Sequence, residues 1–453
     1  MAHSQPSPEA APAGVSFRDA LVYWLKLGFI SFGGPAGQIA VMHQELVERR
    51  RWISERRFLH ALNFCMVLPG PEAQQLATYL GWLMHGTLGG IVAGGLFVLP
   101  SLLILVALSW IYMVWESTPL FAGILYGIKP AVTAIVLFAA WRIGSRALRN
   151  AALWGISAAA FVAIYFFQVP FPAIVLAAGM IGLVGGRLWP QKFAAGGGHA
   201  DTGKTYGRAL IDNDTPTPAH ARFRWNRLAR VAATGALLWL LSLGAMAFAR
   251  GWDDTLSQMG WFFTKAALLT FGGAYAVLPY VVQGAVEQYQ WLTPTQMIDG
   301  LALGETTPGP LIMVVAFVGF VGAWAHAVFG PDSVVLAGIA GAAVATWFTF
   351  LPSFVFIFVG APFIETTHRQ PHLTAPLTGI TAAVVGVIGN LAVFFALHVF
   401  WPQGLHGGVE WPAILIATAA TVALFRYKAG IIPVICACGA AGLAVQAVRA
   451  LAQ

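Results

Sequence analysis

Long apolar runs set the strongest limit on what this chain can fold into. A helix needs about 20 apolar residues to cross the hydrocarbon core of a bilayer, and runs of this length are typical of transmembrane helices. Such runs lie at Gly89–Met113, Leu120–Trp141, Ala151–Phe167, Val231–Ala249, Val334–Phe358 and Ile431–Val448. Only 9% of the 453 residues are charged, against roughly 25% in soluble domains. The chain is therefore predicted to be an all-α polytopic membrane protein.

The chain also repeats itself. Residues Lys26–Pro71 align without a gap on Lys265–Pro310, at a constant offset of 239 positions. Eleven positions are identical, and they include Phe-Gly-Gly, a tryptophan and Pro-Gly-Pro in one register. Further along, Leu99–Ser101 matches Leu351–Ser353. Shared apolar composition would give scattered matches rather than these motifs in order, so the sequence predicts two related halves.

The duplication divides the chain into five predicted parts. These are a disordered tail (1–15), an N-terminal transporter repeat (16–188), a cytoplasmic linker (189–228), a connecting transmembrane helix (229–250) and a C-terminal transporter repeat (251–453). Within the linker, Gly198–Thr205 fits the P-loop pattern. That pattern binds phosphate only between a buried strand and a helix. Neither is expected in the linker, so no nucleotide site is predicted.

The placement of Lys and Arg predicts the orientation of the two repeats, because basic residues accumulate on the cytoplasmic side. If the Phe-Gly-Gly and Pro-Gly-Pro segments are re-entrant, 20 of the 25 basic residues face the cytoplasm, the Arg49–Arg57 loop among them. The equivalent loop, Gln283–Asp299, has no Lys or Arg and is placed outside. We therefore expect inverted-topology repeats with about nine full spans and four broken hairpins, or about thirteen spans if the hairpins cross. Such repeats are typical of secondary transporters that bind substrate near the midplane. The net charge of +7 is assigned to this bias rather than to nucleic-acid binding.

The Phe-Gly-Gly motifs interrupt apolar helices in both halves. Paired glycines permit a sharp turn, and the start of the next half-helix presents N–H groups and the positive end of the helix dipole. Such an end binds anions without a charged side chain. The alternative is tight helix packing through small residues. The substrate-binding residues predicted from these motifs are Ser31, Gly33, Gly34, Thr270, Gly272 and Gly273.

The Pro-Gly-Pro motifs make a second break in each half, because two prolines around a glycine cannot continue a helix. Carboxylates at membrane depth are expensive and are commonly functional. Glu72 and Glu305 are therefore predicted to couple transport to protons or another cation, with helix capping as the alternative for Glu72. The predicted substrate contacts around these breaks are Asn63, Gly70, Gln75, Thr306, Thr307 and Gly309.

Three lysines are the basic residues that lie inside apolar segments. Lys26 and Lys265 occupy equivalent positions before the glycine pairs, where they either approach an anion or extend to the interface along their aliphatic stems. Lys129 has no equivalent, since Thr381 replaces it, and is interpreted as an anion contact or part of an ion pair. No metal or cofactor motif is found, and the thiols Cys65, Cys436 and Cys438 are expected to be buried and inert.

These motifs resemble the chromate ion transporter family in its long, two-domain form. The resemblance covers nearly the whole chain outside the tail and linker. The segments that carry it are Ser31–Gln38, Glu48–Phe58, Leu68–Gln75, Phe271–Pro279, Trp291–Leu292 and Thr307–Ile312. The resemblance implies a non-enzymatic exporter of the chromate dianion in the bacterial inner membrane. It also implies that export is coupled to the proton gradient, that sulfate competes with chromate, and that the cell becomes resistant to chromate.

Three other functions are weighed against this one. A transporter of another oxyanion, such as sulfate or molybdate, would use the same kind of site. A membrane-embedded reductase would need a redox centre, for which the sequence offers no ligand pattern. A scaffold or sensor would not need duplicated helix breaks, which are typical of alternating access. Apart from lipid and the oxyanion, a homodimer is the partner that the sequence leaves open.

Overall fold

The computed structural model describes residues 14–32, 34–116, 118–193, 206–212, 214–216, 218–271, 273–367, 374–404 and 406–451. Those residues are helices joined by short loops, and the bridge found between extended segments joins Ile53 and Ile211. The predicted all-α polytopic membrane fold is confirmed. Gly33, Gly272, most of the predicted tail and the segment Gly198–Thr205 lie outside the described residues.

The first half begins with short helices and continues with long ones. Its helices are α1 (Phe17–Ile30), α2 (Gly34–His43), α3 (Glu55–Cys65), α4 (Glu72–Trp115), α5 (Pro119–Ala147), α6 (Ala151–Phe167), α7 (Phe171–Leu188) and the short α8 (Pro190–Phe193). A π-helical turn, Gln44–Arg49, extends α2. Helix α4 is broken at His85 and Gly86, where Gly86 has a φ of 65°. Residues 72–84 and 87–115 are therefore two separate helices.

A single long helix, α9 (Trp225–Arg250), joins the halves, and the second half then repeats the order of the first. Its helices are α10 (Thr255–Leu268), α11 (Ala274–Val282), α12 (Pro294–Thr306), α13 (Val314–Ala325), α14 (Val334–Thr367), α15 (Thr374–Phe400), α16 (Trp411–Phe425) and α17 (Ile431–Leu451). The π-helical turn Gln283–Gln288 follows α11. It lies 239 positions after the turn in the first half, so the duplication extends to this irregular element.

The unusual backbone angles also recur at the offset of 239. Six of the residues with positive φ form three equivalent pairs: Gly34 (71°) and Gly273 (96°), Arg51 (52°) and Gln290 (52°), and Gly70 (130°) and Gly309 (98°). Side chains other than glycine rarely adopt such angles. Shared positive φ at Arg51 and Gln290 therefore indicates that the two loops have the same conformation, not merely similar sequences.

Helix length separates the spanning elements from the broken ones. Within the described ranges, seven helices are long and apolar enough to cross a membrane, and three shorter apolar helices accompany them. Helices α1, α2, α10 and α11 have 14, 10, 14 and 9 residues, or about 14 to 21 Å at 1.5 Å per residue. The hydrocarbon core is about 30 Å thick, so none of these four crosses it alone.

Burial shows which helices lie inside. In α13, ten residues from Val314 to Ala323 are buried, whereas α9 buries only Gly235 and Leu243. Helix α13 therefore lies in the protein interior, and α9 presents most of its surface outward. Cys65 and Cys438 are buried as predicted. The prediction for Cys436 is wrong, because this thiol is on an exposed face of α17.

Candidate anion site where the helix breaks meet

Helices α1 and α10 end in the same way. The Ser31 hydroxyl donates to the carbonyl of Leu27 over 2.6 Å, and the Thr270 hydroxyl donates to the carbonyl of Ala266 over 2.7 Å. Both hydroxyl-bearing residues are fully buried. A hydroxyl that bonds back to a carbonyl four residues earlier takes up one of the acceptors left free at a helix end. The two predicted Ser/Thr positions therefore act first as helix-end caps.

The Pro-Gly-Pro turn of each half is bonded to the Phe-Gly-Gly break of the other half. The Gly70 N–H donates to the Thr270 carbonyl over 2.7 Å, and the Gly309 N–H donates to the Ser31 carbonyl over 2.8 Å. This reciprocal pair joins each interruption of one repeat to an interruption of the other. Buried backbone groups need partners, and here each break supplies the partner for the other repeat.

Glycine is required at both turns for two reasons. Gly70 and Gly309 have positive φ, and a side chain at either position would also collide with the opposite repeat. A Cβ atom on Gly70 would lie 2.5 Å from the Ser353 hydroxyl, and one on Gly309 would lie 2.8 Å from the Ser101 Cβ. Ser101 and Ser353 are the equivalent serines of the Leu-Pro-Ser repeat, so the symmetry extends to the residues around the turns.

Free space lies at the starts of the half-helices. Gly34 is the first residue of α2, and Gly273 precedes α11. A Cβ atom built on either glycine would meet no atom of the described residues within 4 Å, apart from its chain neighbours. The positive end of each helix dipole, with its N–H groups, therefore borders an open volume, as an anion site requires.

Fully buried polar side chains lie beside the Pro-Gly-Pro turns. The Gln38 amide donates to the Gly309 carbonyl over 2.5 Å and to the Ser31 carbonyl over 3.3 Å, and the Gln75 amide donates to the Pro69 carbonyl over 2.7 Å. Their Oε1 atoms have no hydrogen-bond partner among the described residues, and neither do the hydroxyls of Ser101 and Ser353. An unsatisfied buried polar group costs about 1–3 kcal/mol. These hydroxyls are thus available as donors to a bound oxyanion.

The other predicted contacts around the Pro-Gly-Pro turns have different surroundings. The Thr306 hydroxyl donates to the Leu303 carbonyl, and the Thr307 hydroxyl donates to the Gly304 carbonyl, each over 2.9 Å. Both threonines therefore close the last turn of α12. Asn63 is half-buried on α3.

The two candidate coupling carboxylates flank the turns without being equivalent. Glu72 is the first residue of α4 and is half-buried, and the residue before it, Pro71, makes no side-chain cap. Glu305 is half-buried near the end of α12 and accepts a hydrogen bond from the Tyr275 hydroxyl at the start of α11. The Tyr275 contact joins the carboxylate to the half-helix that follows the second break, a link that sequence reasoning missed.

Lys26 and Lys265 lie on the outer sides of their helices. Lys26 is exposed, next to the exposed Leu25 on α1. The Lys265 ammonium lies 5.6 Å from the ring centre of Trp261, which is also exposed. Both placements favour the interfacial alternative over direct contact with a central anion.

Lys129 forms an ion pair. Its Nζ lies 3.5 Å from Oδ2 of Asp299, which is completely buried on α12. The Tyr112 hydroxyl lies 3.1 Å from the same Asp299 oxygen and 3.0 Å from Glu116. The expectation that Asp299 belongs to an external loop is wrong, because α12 already begins at Pro294. An acidic residue inside an apolar helix was the signal that sequence reasoning overlooked.

A separate pocket of about 160 Å³ lies between α6, α11 and α15. Its lining includes Gln283, Glu287 and Asn390, with no basic residue among the described lining residues. A carboxylate without a neighbouring cation repels an anion, so this pocket does not suit an oxyanion. The described residues also contain no cluster of three or more His, Cys, Asp or Glu that could hold a metal ion.

Comparison with known proteins gives matches over nearly the whole chain. The family described as chromate transporter matches residues 18–183 and 257–443. A chromate transport protein of Pseudomonas aeruginosa is 34% identical over 439 residues, covering 96% of this chain and 94% of that protein. A chromate transport protein of Cupriavidus metallidurans is 29% identical over 418 residues, covering 91% and 89%. A probable chromate transport protein of Synechococcus elongatus is 28% identical over 412 residues, covering 91% and 90%. No solved structure matches the chain.

Proposed function

Because the chain belongs to the chromate transporter family, we propose that it transports chromate and that the net direction is export from the bacterial cytoplasm across the inner membrane. The names of its relatives support a transporter rather than an enzyme. Export would lower the cytoplasmic chromate concentration, so resistance to chromate is the expected phenotype.

The substrate site that we propose is the volume bordered by Gly34 and Gly273. The observation that carries this proposal is the reciprocal bonding of Gly70 to Thr270 and of Gly309 to Ser31, because it places the Pro-Gly-Pro turn of each repeat beside the half-helix break of the other. A tetrahedral dianion would accept hydrogen bonds from N–H groups there and from nearby hydroxyls. Four oxygen atoms suit several donors that converge from two opposed helices.

The membrane potential favours this direction. Moving one elementary charge through 100 mV is worth about 2.3 kcal/mol, so a dianion leaving an inside-negative cell gains about 4.6 kcal/mol. We propose that Glu72 and Glu305 bind the coupling cation, with a proton as the simplest choice. Each carboxylate lies within a few residues of a Pro-Gly-Pro turn, so a change in its charge would act close to the bound anion.

We propose inverted-topology repeats as the framework for this transport. Helices α1, α2, α10 and α11 are too short to cross the membrane, as re-entrant or broken hairpins must be. The recurrence of turns at a constant offset supplies two similar half-sites. In this arrangement about nine helices span the membrane and about four hairpins are broken.

Sulfate is the expected competitor, since it is also a tetrahedral dianion and the proposed donors recognise charge and shape rather than chromium. Transport of sulfate or molybdate as the main substrate is the alternative. Everted vesicles from cells expressing the chain would separate these cases, with the potential and the pH gradient collapsed independently by ionophores. Saturable chromate uptake that falls when the potential is collapsed supports export. Uptake of sulfate without chromate would overturn the substrate, and uptake insensitive to both gradients would overturn the coupling.

A further inference from the structure

A buried cluster of three side chains joins the two repeats near the end of α14. Arg57 Nη1 lies 3.1 Å from Glu365 Oε2, and the Tyr79 hydroxyl donates to Glu365 Oε1 over 2.5 Å. The side chains of Arg57 and Glu365 are only 12% and 6% exposed. Arg57 also donates to the Thr215 carbonyl of the linker over 2.7 Å. We call Arg57, Tyr79 and Glu365 the Arg57 cluster.

A second cluster combines the same three kinds of side chain, a cation, a tyrosine and a carboxylate. It consists of Lys129, Tyr112 and Asp299, with the 3.5 Å ion pair and the 3.1 Å tyrosine hydrogen bond already described. The side chains of Lys129 and Asp299 are 25% and 1% exposed. We call these three residues the Lys129 cluster. In both clusters the cation and the tyrosine come from the first repeat and the carboxylate comes from the second, so each cluster holds the repeats together.

The clusters lie on opposite sides of the proposed anion site. Ser101, beside Gly309, marks the level of that site on α4. Tyr112 is eleven residues further along this helix, about 16 Å from Ser101 at 1.5 Å per residue. Thr78, next to Tyr79, packs against Gly94, seven residues before Ser101 and so about 10 Å away in the other direction.

We propose that the Arg57 cluster and the Lys129 cluster are the two gates of the transporter, an inference that rests on the proposed function. Each gate closes one side of the central site by fastening the two repeats. Opening one gate while the other stays formed gives the site access to one side of the membrane at a time. With both clusters formed, as they are here, the site is closed from both sides.

The two gates differ in strength. Glu365 has both carboxylate oxygens paired, one with Arg57 and one with Tyr79, at distances of 3.1 Å or less. Asp299 has one oxygen paired, at 3.1 Å with Tyr112 and 3.5 Å with Lys129, and its other oxygen has no partner among the described residues. Charge-assisted hydrogen bonds are strongest when short and doubled. The Lys129 gate therefore opens more readily than the Arg57 gate.

A reporter cysteine at the centre tests the gates without any flux measurement. We would make Ser101→Cys in a background where the three native cysteines are replaced, and measure its labelling by an impermeant maleimide in right-side-out and in inverted vesicles. Each gate is removed by two substitutions together, Lys129→Gln with Asp299→Asn, or Arg57→Gln with Glu365→Gln. Removing both partners avoids leaving a lone buried charge, which would destabilise the fold for a different reason.

The expected result is about a tenfold rise in the labelling rate from one face for each double variant, with opposite faces for the two variants; a tenfold change corresponds to about 1.4 kcal/mol. The control is Glu410→Gln with Arg449→Gln. That pair is 2.7 Å apart and contacts Tyr126 of the first repeat, but both charged partners belong to the second repeat, so the ion pair itself does not join the repeats. Its loss should leave labelling unchanged.

Three outcomes would overturn the gates: unchanged labelling in both double variants, an equal rise from both faces, or an equal rise in the control. The exchanged pair, Lys129→Asp with Asp299→Lys, should return labelling to the wild-type rate, and failure to do so in a folded protein also contradicts the proposal. Labelling requires no chromate movement. The gates can therefore fail while chromate transport is observed, and they can hold while the substrate proposal fails.

Discussion

The substitution Gly309→Ala tests the crossing of the helix breaks. Gly309 has a φ of 98°, and its added Cβ would lie 2.8 Å from the Ser101 Cβ and 3.2 Å from the Ser101 hydroxyl. The left-handed backbone costs a non-glycine residue about 1–2 kcal/mol. Forcing a methyl group into packed surroundings costs a further ~1–3 kcal/mol. We therefore expect a loss of about 2–5 kcal/mol in the free energy of unfolding.

Gly251→Ala is the matched control. Gly251 has a φ of 90° at the end of α9, and a Cβ there would meet no atom of the described residues within 4 Å, apart from its chain neighbours. Gly251→Ala should therefore lower the free energy of unfolding only by the cost of the left-handed backbone, about 1–2 kcal/mol. The difference between the two variants isolates the contact with Ser101.

Thermal denaturation in detergent and chromate flux in vesicles would measure both consequences. Gly309→Ala should melt at a lower temperature than Gly251→Ala. It should also lose most of its flux, because relieving the clash pulls the Gly309 N–H away from the Ser31 carbonyl. Equal melting temperatures, together with wild-type flux in Gly309→Ala, would refute the proposed close contact between the repeats.

Three further predictions concern other parts of the structure. Gln38→Leu should lower the free energy of unfolding by about 1–3 kcal/mol and reduce chromate flux, since it leaves the Gly309 carbonyl without its amide donor. An unchanged melting temperature together with unchanged flux would contradict this role. Arg49 and Gln288 are equivalent exposed positions, and each can be replaced by cysteine. In inverted repeats, an impermeant maleimide should label Arg49→Cys only from the cytoplasm and Gln288→Cys only from outside. Labelling of both from the same face would disprove the inversion. Hydrogen bonds from Arg449 and Tyr126 hold the pKa of Glu410 below its usual value of 4.5. Ionised Glu410 therefore stabilises the folded protein fully at pH values above its usual pKa. This stabilisation is lost as the pH falls through the lowered pKa of the folded state. Melting of Glu410→Gln between pH 5 and pH 3 should therefore change less than melting of the wild type, and identical acid profiles would exclude the contribution.

The repeat was readable in the sequence because its turns need unusual residues. Gly34 and Gly70 occupy positions of positive φ, and their equivalents 239 positions later do the same. An offset identifies equivalent residues, but it does not say which residues touch. The hydrogen bonds of Gly70 to Thr270 and of Gly309 to Ser31 depend on how two repeats pack, and no local pattern encodes that.

Side-chain direction was the other limit on prediction. Lys26 and Lys129 both lie inside apolar segments, yet Lys26 is exposed and Lys129 contacts a buried carboxylate. The difference comes from the rotation of each helix about its axis, which packing decides. Gln38 was overlooked because its repeat equivalent is Val277, so symmetry gave no reason to single it out. Asp299 was overlooked because its helix begins earlier than the charge pattern indicated.

The most direct test is chromate flux in proteoliposomes that contain only the purified chain, with an imposed potential and with sulfate added as a competitor. The proposed function predicts saturable chromate movement toward the positive side, reduced by sulfate and lost in Gly309→Ala but retained in Gly251→Ala. Absence of chromate movement under every imposed gradient, from protein that melts cooperatively, would contradict the assignment of this chain as a chromate exporter.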